Sequence, residues 1–351
     1  MQRIYALGVM SGTSLDGLDL ALCEYKFTHQ WKFNIIQANT VPYSNFWKDQ
    51  LKNAENASGL ELTRLHKNYG RLIGTEIKQF LSSLKIKPDI IASHGHTVFH
   101  QPAQGVTLQI GDGAEIAATT GITTVSDFRS LDVALGGQGA PLVPMGDELF
   151  FSDYDYCLNI GGFANISTQE NDQRIAFDIC PANILLNLFA HEMDKPFDQD
   201  GALGRRGKTD QQLLRQLNAL EFYDLPHPKS LGKEWLDDIV LPIIKKSSLP
   251  VMDKLSTLCE HIADQITRTI ASDPSKKTFV TGGGAYNTYL IERIRSKTKT
   301  SIIIPSKEII EYKEAIIFGI LGILRINHQD NCLSTVTGAK RNSSSGVIHI
   351  I

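Results

Sequence analysis

Two short apolar runs, Ile4 to Met10 and Leu18 to Cys23, flank the segment SGTSLDG. About 150 residues later the form returns as Cys157 to Ile160, a Gly161-Gly162 turn, then Ala164 to Ser167. Apolar runs of this length joined by a glycine turn read as antiparallel hairpins. The residues do not repeat, but the hairpin form does, and that predicts a duplicated domain. Strand-like and helix-like segments alternate through the rest of the chain, which puts it in the α/β or mixed α/β class with large sheets. A length of 351 residues leaves room for two domains of ordinary size.

The spacing predicts further elements. Leu60 to Leu84 has helical periodicity, with Leu65, Leu72, Ile73, Ile77 and Leu84 near one face. Ile90 to Ala92 is a strand that delivers the polar loop HGHTVFH, and Ile116 to Thr120 is helical. Val125 to Arg129 leads into the glycine-dense ALGGQGAPLVP. A strand from Arg174 to Phe177 ends in Asp178, and Pro181 opens a helix over Ala182 to Phe189. Residues 251–271 are helical, and the strand Thr278 to Val280 runs into GGGAYN. Ala315 to Leu324 reads as a buried helix, and NSSSG (Asn342 to Gly346) as a mobile tail. The domains expected are residues 1–135, joined by the tail from about 335 to 351, and residues 136–334.

Composition excludes several function classes. The net charge is −3 with acids and bases interspersed, so there is no basic stripe for nucleic acid and no polybasic membrane patch. No apolar run reaches the ~20 residues that span a bilayer. The apolar start is too short for a signal peptide. Five scattered cysteines without CxxC spacing suit a reduced, cytoplasmic protein.

Three glycine turns follow strands: GTSLDG at 12–17, GGFANIS at 161–167 and GGGAYN at 282–287. Glycine lets backbone N–H groups approach an anion closely, and hydroxyls add donors. The candidate phosphate-binding residues are therefore Gly12, Thr13, Ser14, Leu15, Asp16, Gly17, Leu18 and Asp19 in the first turn, with Gly161, Gly162, Gly282, Gly283, Gly284 and Asn287 in the others. Asp16 or Asp19 is placed to hold a divalent cation, through water in the case of Mg²⁺. No GxxxxGK[ST] occurs and no GxGxxG opens a helix, which excludes P-loop and dinucleotide enzymes. Asp178, at a strand end before a helix start, is a candidate general base; capping that helix is the alternative. His94, His96, Thr97 and His100 suit sugar contacts, against a structural role or a metal site. Arg129, between two acids in SDFRSLD, is either an ion-pair hub or a binder of an acidic substrate group.

A longer set of segments carries a family resemblance. GVMSGTSLDGLDLAL (8–22), SHGHTVFHQP (93–102), LQIGDGAEIA (108–117), VSDFRSLDVALGGQGAPLVP (125–144), NIGGFANIS (159–167), DQDGALGRRG (198–207), PKSLGKEWL (228–236), TGGGAYN (281–287), EAIIFG (314–319) and VTGA (336–339) resemble the anhydro-N-acetylmuramic acid kinases. These are members of the sugar kinase, Hsp70 and actin superfamily. The resemblance implies an actin-like ATPase fold of two duplicated ribonuclease H-like domains, with ATP and sugar in the cleft between them. It implies a homodimer that uses ATP and water to open the 1,6-anhydro ring and phosphorylate O6, in peptidoglycan recycling. The family's ATP segment falls on Gly12 to Asp19, its catalytic aspartate on Asp178, its adenosine-side motif on Gly282 to Asn287, and Glu314 lies in its EA motif as an aid to water positioning. The chain departs from the family's usual FDTGPGN, reading FDICPAN, with Asn187 at a position usually acidic. His96 replaces a glutamine and Leu231 a threonine. The alternatives are a kinase for another anhydro sugar or a hexosamine, and a non-catalytic ATP-binding module.

Overall fold

The structure, a computed structural model, describes residues 2–12 and 15–351. The chain forms two compact units. One runs to Phe150 and resumes from Tyr312 to Ile351; the other is Phe151–Glu311. The changes of unit fall at 150/151 and 311/312, where the sequence placed divisions near 135 and 334.

In the first unit β1 (Gln2–Ser11), β2 (Gly17–Phe27) and β3 (Trp31–Pro42) form an antiparallel meander. β4 (Ile90–Ser93) pairs parallel with β1. A separate hairpin follows, of β5 (His96–Gln101) and β6 (Val106–Ile110), and then β7 (Thr124–Ser126) pairs parallel with β4. The second unit repeats the plan. β8 (Tyr156–Ile160), β9 (Phe163–Glu170) and β10 (Gln173–Pro181) are antiparallel, and β11 (Lys277–Thr281) and β12 (Ser301–Ile303) extend the sheet in parallel from β8. Both sheets thus run third-second-first-fourth-fifth with the same directions, and β13 (Val347–His349) adds an antiparallel edge on β7 of the first. This is the duplicated α/β arrangement that the two hairpins predict.

Strand periodicity explains how the first sheet carries helices on both faces. Ala6, Ala21, Cys23 and Tyr25 point into one core, and Leu7, Val9, Leu18, Leu20 and Leu22 into the other. The helix Gly59–Leu81 covers the second face through Leu65, Tyr69, Ile73, Ile77 and Phe80. It starts at a capping box of Ser58 and Glu61 and stops before Leu84, three residues short of the run that periodicity suggested. The first face receives the helix Lys307–Ile326, whose residues 315–324 are all buried. Gly8 lets β1 touch that helix backbone to backbone; a Cβ there would collide with the Ala315 carbonyl.

Two local expectations are corrected. Asp178 does not end its strand: β10 continues to Pro181 across a bulge between Asp178 and Cys180, and the helix Asn183–His191 follows. As expected, β11 runs into the glycine turn, which takes the form of a helical turn, Gly283–Tyr286, because β11 is followed by a crossover to a parallel partner. The NSSSG tail is tied down. Asn331 Nδ2 donates to the Ser345 carbonyl (2.8 Å), Ser345 N–H donates to Asn331 Oδ1 (2.7 Å), and Ser343 bridges Cys332. Among the described residues no helix is long and apolar enough to cross a membrane.

Candidate functional site

In the first unit the β1–β2 turn closes through Leu15 N–H donating to the Gly12 carbonyl at 3.3 Å, with Leu15 in the left-handed region at φ 58°. Thr13 and Ser14, the two expected hydroxyl donors, lie outside the described residues. Asp16 is exposed at the turn. Gly17 is required by packing, since a Cβ would come within 2.5 Å of the Val41 carbonyl. Leu18 is buried in the core, so only its backbone is available to a ligand. Asp19 stands on β2 and accepts from Thr40 Oγ1 at 2.6 Å.

The three histidines of HGHTVFH take separate partners. His94 is buried; its Nε2 accepts from Arg129 Nε at 2.9 Å, so Nδ1 carries the proton and donates to the Gly95 carbonyl at 2.9 Å. Burial, with Arg129 next, pushes its pKa well below the ordinary histidine range, in keeping with a neutral ring. His96 Nδ1 lies 3.2 Å from Ser11 Oγ, and Tyr43 donates to the same Ser11 oxygen at 2.9 Å. Tyr43 and Tyr69 share a 2.5 Å hydrogen bond, which completes a buried polar row beneath the turn. His100 is exposed and pairs with Thr107; Thr97 lies 3.4 Å from Gln109 Nε2. Among the described residues no three His, Cys, Asp or Glu side chains converge as a metal cage.

Arg129 does not bond the acids on either side of it. Its Nη1 donates to the Gly139 carbonyl at 2.6 Å, Asp127 accepts from Ser130, and Asp132 turns inward. Asp132, fully buried, accepts from Gly139 N–H (2.7 Å), Thr337 Oγ1 (2.8 Å) and Cys332 Sγ (3.1 Å), and so pins the glycine-dense loop to the VTGA segment. Glu314 presents surface to solvent, yet surrounding protein raises its pKa above the usual carboxylate range. Arg129 opposes that rise, Asp19 adds to it and Lys313 opposes it again. Asp19, Arg129 and Glu314 therefore belong to one electrostatic group, with His94 attached through Arg129.

The second unit gathers its own set. Asn183 N–H donates to the Gly161 carbonyl, and its side-chain Nδ2 to the Ile160 carbonyl at 3.1 Å. Gly282, at φ 82°, fits directly against Asn159 and Ile160. The Gly161-Gly162 turn and the Gly282–Gly284 segment thus lie side by side. Asn287 is withdrawn from them: it is buried, and its Oδ1 caps the helix Thr288–Lys297 by accepting from Leu290 N–H at 2.9 Å.

Asp178 is half-buried on β10. Its backbone N–H donates to the Lys229 carbonyl at 3.0 Å, and its Oδ2 accepts from Leu231 N–H at 2.8 Å. Oδ1 has no hydrogen-bond partner among the described residues. Burial raises the Asp178 pKa and the Leu231 bond lowers it, with the net shift upward. A carboxylate so placed is a stronger base than a solvated one. The donor is a backbone group, so leucine in place of threonine at 231 leaves this bond intact. Ile179, Cys180 and Ala182, the departures within FDICPAN, are buried in the core of this unit.

Sequence reasoning missed Ser11, Tyr43 and Tyr69, the Asp132 hub, Thr40 and the Leu231 N–H. The signal that could have found Asp132 is its place beside a run of glycines. A backbone donor such as that of Leu231 leaves no side-chain signal at all.

Residues 4–350 match the family model described as anhydro-N-acetylmuramic acid kinase. The anhydro-N-acetylmuramic acid kinase of Shewanella sp. (strain MR-7) is 36% identical over 372 aligned positions, covering 99% of this chain and 98% of that one. That of Vibrio cholerae is 34% identical, covering 99% of each. Among solved structures, the activator of the 2-hydroxyisocaproyl-CoA dehydratase from Clostridium difficile with bound ADPNP is 12% identical, with a TM-score of 0.44 over 89% of this chain and 92% of that one. With its matched segments in order along almost its whole length, the chain belongs to the anhydro-N-acetylmuramic acid kinase family.

Proposed function

We propose that the protein is an ATP-dependent kinase that opens the 1,6-anhydro ring of anhydro-N-acetylmuramic acid with water and phosphorylates O6, giving N-acetylmuramic acid 6-phosphate for peptidoglycan recycling. The full-length family match carries the reading. The setting of Asp178 supports it: one oxygen is held by Leu231 N–H and the other is left for a water. In this mechanism Asp178 takes a proton from water and the resulting hydroxide-like oxygen attacks C1. The C1–O6 bond breaks, and O6 attacks the γ-phosphate in line. Phosphoryl transfer depends chiefly on positioning and on stabilising charge on the transferred group. Gly12 to Asp19, Gly161, Gly162 and Gly282 to Gly284 are the residues proposed to hold ATP. Asn287 supports the third segment as a helix cap. Glu314 helps position the water, and His94, His96, Thr97 and Arg129 serve the sugar.

Asp16 would meet a nucleotide-bound Mg²⁺ through its waters, and the ion would supply neutralisation of phosphate charge. The donors present fit it, since Mg²⁺ keeps most of its waters and needs only one or two carboxylates, here Asp16 with Asp19 behind it. The five cysteines are buried and form no disulfide, which suits a reducing cytoplasm. A homodimer is the assembly proposed.

The test is Asp178→Asn. It keeps shape and removes the base, so turnover falls by about 10²- to 10⁴-fold while ATP and sugar still bind. In the wild type, ¹⁸O from labelled water appears at C1 and not in phosphate. Because Asp178 must be ionised and its pKa is raised, activity is lost on acidification at a pH above the ordinary aspartate range of about 3.9. Near-normal turnover in Asp178→Asn, or label in phosphate, overturns the mechanism.

A further inference from the structure

The edge of the second sheet beside Asp178 is occupied by an irregular segment, residues 227–231, which is held more firmly than its exposure suggests. Residues 224–228 and 230 are exposed, whereas Lys229 is half-buried. A lysine drawn inward from such a run needs a reason, because its ammonium loses water there. The structure supplies one. Lys229 Nζ donates to the Phe222 carbonyl at 3.0 Å and to the Tyr223 carbonyl at 3.1 Å, and it sits 4.8 Å over the Phe222 ring. These carbonyls belong to a helical turn, Glu221–Asp224. That turn is itself fixed, since Phe222 packs on Trp235 and Tyr223 pairs with the buried His261 Nε2 at 2.9 Å.

Lys229 faces the other way through its backbone. Its carbonyl accepts from Asp178 N–H, and two residues on, Leu231 N–H meets Asp178 Oδ2. His227 completes the grip at the near end, stacked on Phe177 with ring centroids 4.9 Å apart and 2.9 Å from Glu170 of β9. The lysine side chain thus anchors, from below, the segment whose backbone holds the candidate base on both sides.

We propose that Lys229 is a positioning residue for the reaction. By tying residues 227–231 to the Phe222 and Tyr223 carbonyls, it keeps Leu231 N–H on Asp178 and so sets the base's orientation and proton affinity. The proposal rests on the reading of Asp178 as the base. Removing the anchor lets the segment move and weakens a hydrogen bond that favours the ionised carboxylate. Asp178 then takes up its proton at higher pH. The other titratable groups on the packed elements are Arg174 and Cys180 on β10, Glu170 on β9, Glu221, Tyr223 and Asp224 on the turn, His227 and Lys229 on the segment, and Asp253, Lys254, Cys259, Glu260, His261, Asp264 and Arg268 on the helix Val251–Thr269. None of them is among the causes of the Asp178 shift, which are burial and the Leu231 bond. The acidic limb therefore reports on that bond.

The experiment compares Lys229→Met, Lys229→Gln and Asp178→Asn with the wild type. The single-turnover rate of ring opening is followed from acid to neutral pH with saturating ATP and sugar, and hydrogen exchange of peptides covering residues 229–233 is measured in parallel. Lys229→Met should raise the acidic limb by about one pH unit, lower the rate on the plateau about tenfold, leave the KM for ATP unchanged and speed exchange at the Leu231 amide. Lys229→Gln keeps a neutral donor toward the same carbonyls and should restore most of the limb and the protection, which separates the anchor from the charge. Unchanged exchange and an unchanged limb in Lys229→Met overturn the proposal. So does a Gln variant as shifted as the Met variant. Near-normal turnover in Asp178→Asn overturns instead the assignment of the base, whatever Lys229 does to exchange.

Discussion

The two units share a strand order but differ in what they hang on it. After its first strand, the first unit spends five residues, 12–16, on a turn with two hydroxyls and an acid; the second spends two, Gly161 and Gly162. After its fourth strand, the first unit places the buried His94 and the β5–β6 hairpin, and the second places Gly282–Gly284. The third strands differ most. Both carry a register shift, but the one on β3, at Ile36 opposite Leu22 and Cys23, bears no acid, whereas the one on β10 falls at Asp178 and is flanked by residues 229–231. A bulge bends a strand and re-aims a side chain, so β10 can present an acid where a regular strand would present it to one face only. The shared topology sets where loops emerge, and the loops divide the chemistry. Acids, arginine and histidine gather on the first unit; backbone donors and a single base gather on the second.

The largest expected effect tests whether the units are separate in stability as well as in chemistry. Lys313, on the long helix, pairs with Asp147 at 2.7 Å, and both side chains are less than a tenth exposed. Lys313→Met leaves the Asp147 charge buried opposite a methyl group, which costs about 3–5 kcal/mol. The loss should fall on the first unit alone. Hydrogen exchange should accelerate in β1, β2 and β4 and stay unchanged in β8 to β12. Equal acceleration in both sheets would show one cooperative unit and remove that part of the comparison.

A smaller effect sharpens the contrast between glycines that serve the fold and glycines that serve a ligand. At Gly282 the backbone has φ 82°, and a Cβ would sit 2.6 Å from Asn159 Oδ1 and 2.7 Å from the Ile160 carbonyl. Gly282→Ala should cost about 1–3 kcal/mol in an unfolding titration. At Gly162 the nearest atom to a Cβ is 3.8 Å away, on Ile184, and the backbone is ordinary. Gly162→Ala should therefore stay within about 0.5 kcal/mol of wild type. If the turn approaches phosphate closely, the same methyl group should still raise the KM for ATP about tenfold, a loss of about 1.4 kcal/mol. A Gly162→Ala enzyme with unchanged ATP kinetics would remove that turn from the nucleotide site.

Both hairpins were legible because alternating apolar residues and a glycine turn are local signals; Asp178 was placed on the right strand but three residues too close to its end. The bulge was not, because no residue type marks a register shift between Asp178 and Cys180. The anchored NSSSG tail was misread for a related reason. Its serines are polar and small, but their backbone is held by Asn331, more than ten residues earlier. The arginine between two acids suggested an ion-pair hub, yet its donors go to His94 and Gly139, brought near by the fold and not by the spacing. Apart from the bulge, what escaped the sequence was a set of long-range contacts, to backbone at Gly139, Leu231 and Ser345 and to side chains at His94, Ser11 and Asp132.

The most local effect expected concerns Asp16, where the first unit's turn differs from its counterpart by an acid. Asp16 is exposed and Asp19 is engaged by Thr40, so the two carboxylates have different freedom to meet a hydrated cation. A magnesium ion that keeps its waters is touched by such a carboxylate only through them. Asp16→Asn retains a hydrogen-bond acceptor for those waters and loses the charge. The expected loss is about that of one hydrogen bond to a charged group, ~1.5 kcal/mol or roughly tenfold in Mg·ATP affinity. Sugar affinity should not move, because His94 and Arg129 hold their positions through each other. Titrating Mg²⁺ at fixed ATP separates the cases. If Asp16 serves the metal, the variant needs more Mg²⁺ and reaches the wild-type rate at saturation. An identical Mg²⁺ curve would make the acid a surface residue of the turn, and the first unit would then offer phosphate only its backbone and hydroxyls, as the second unit offers only glycine.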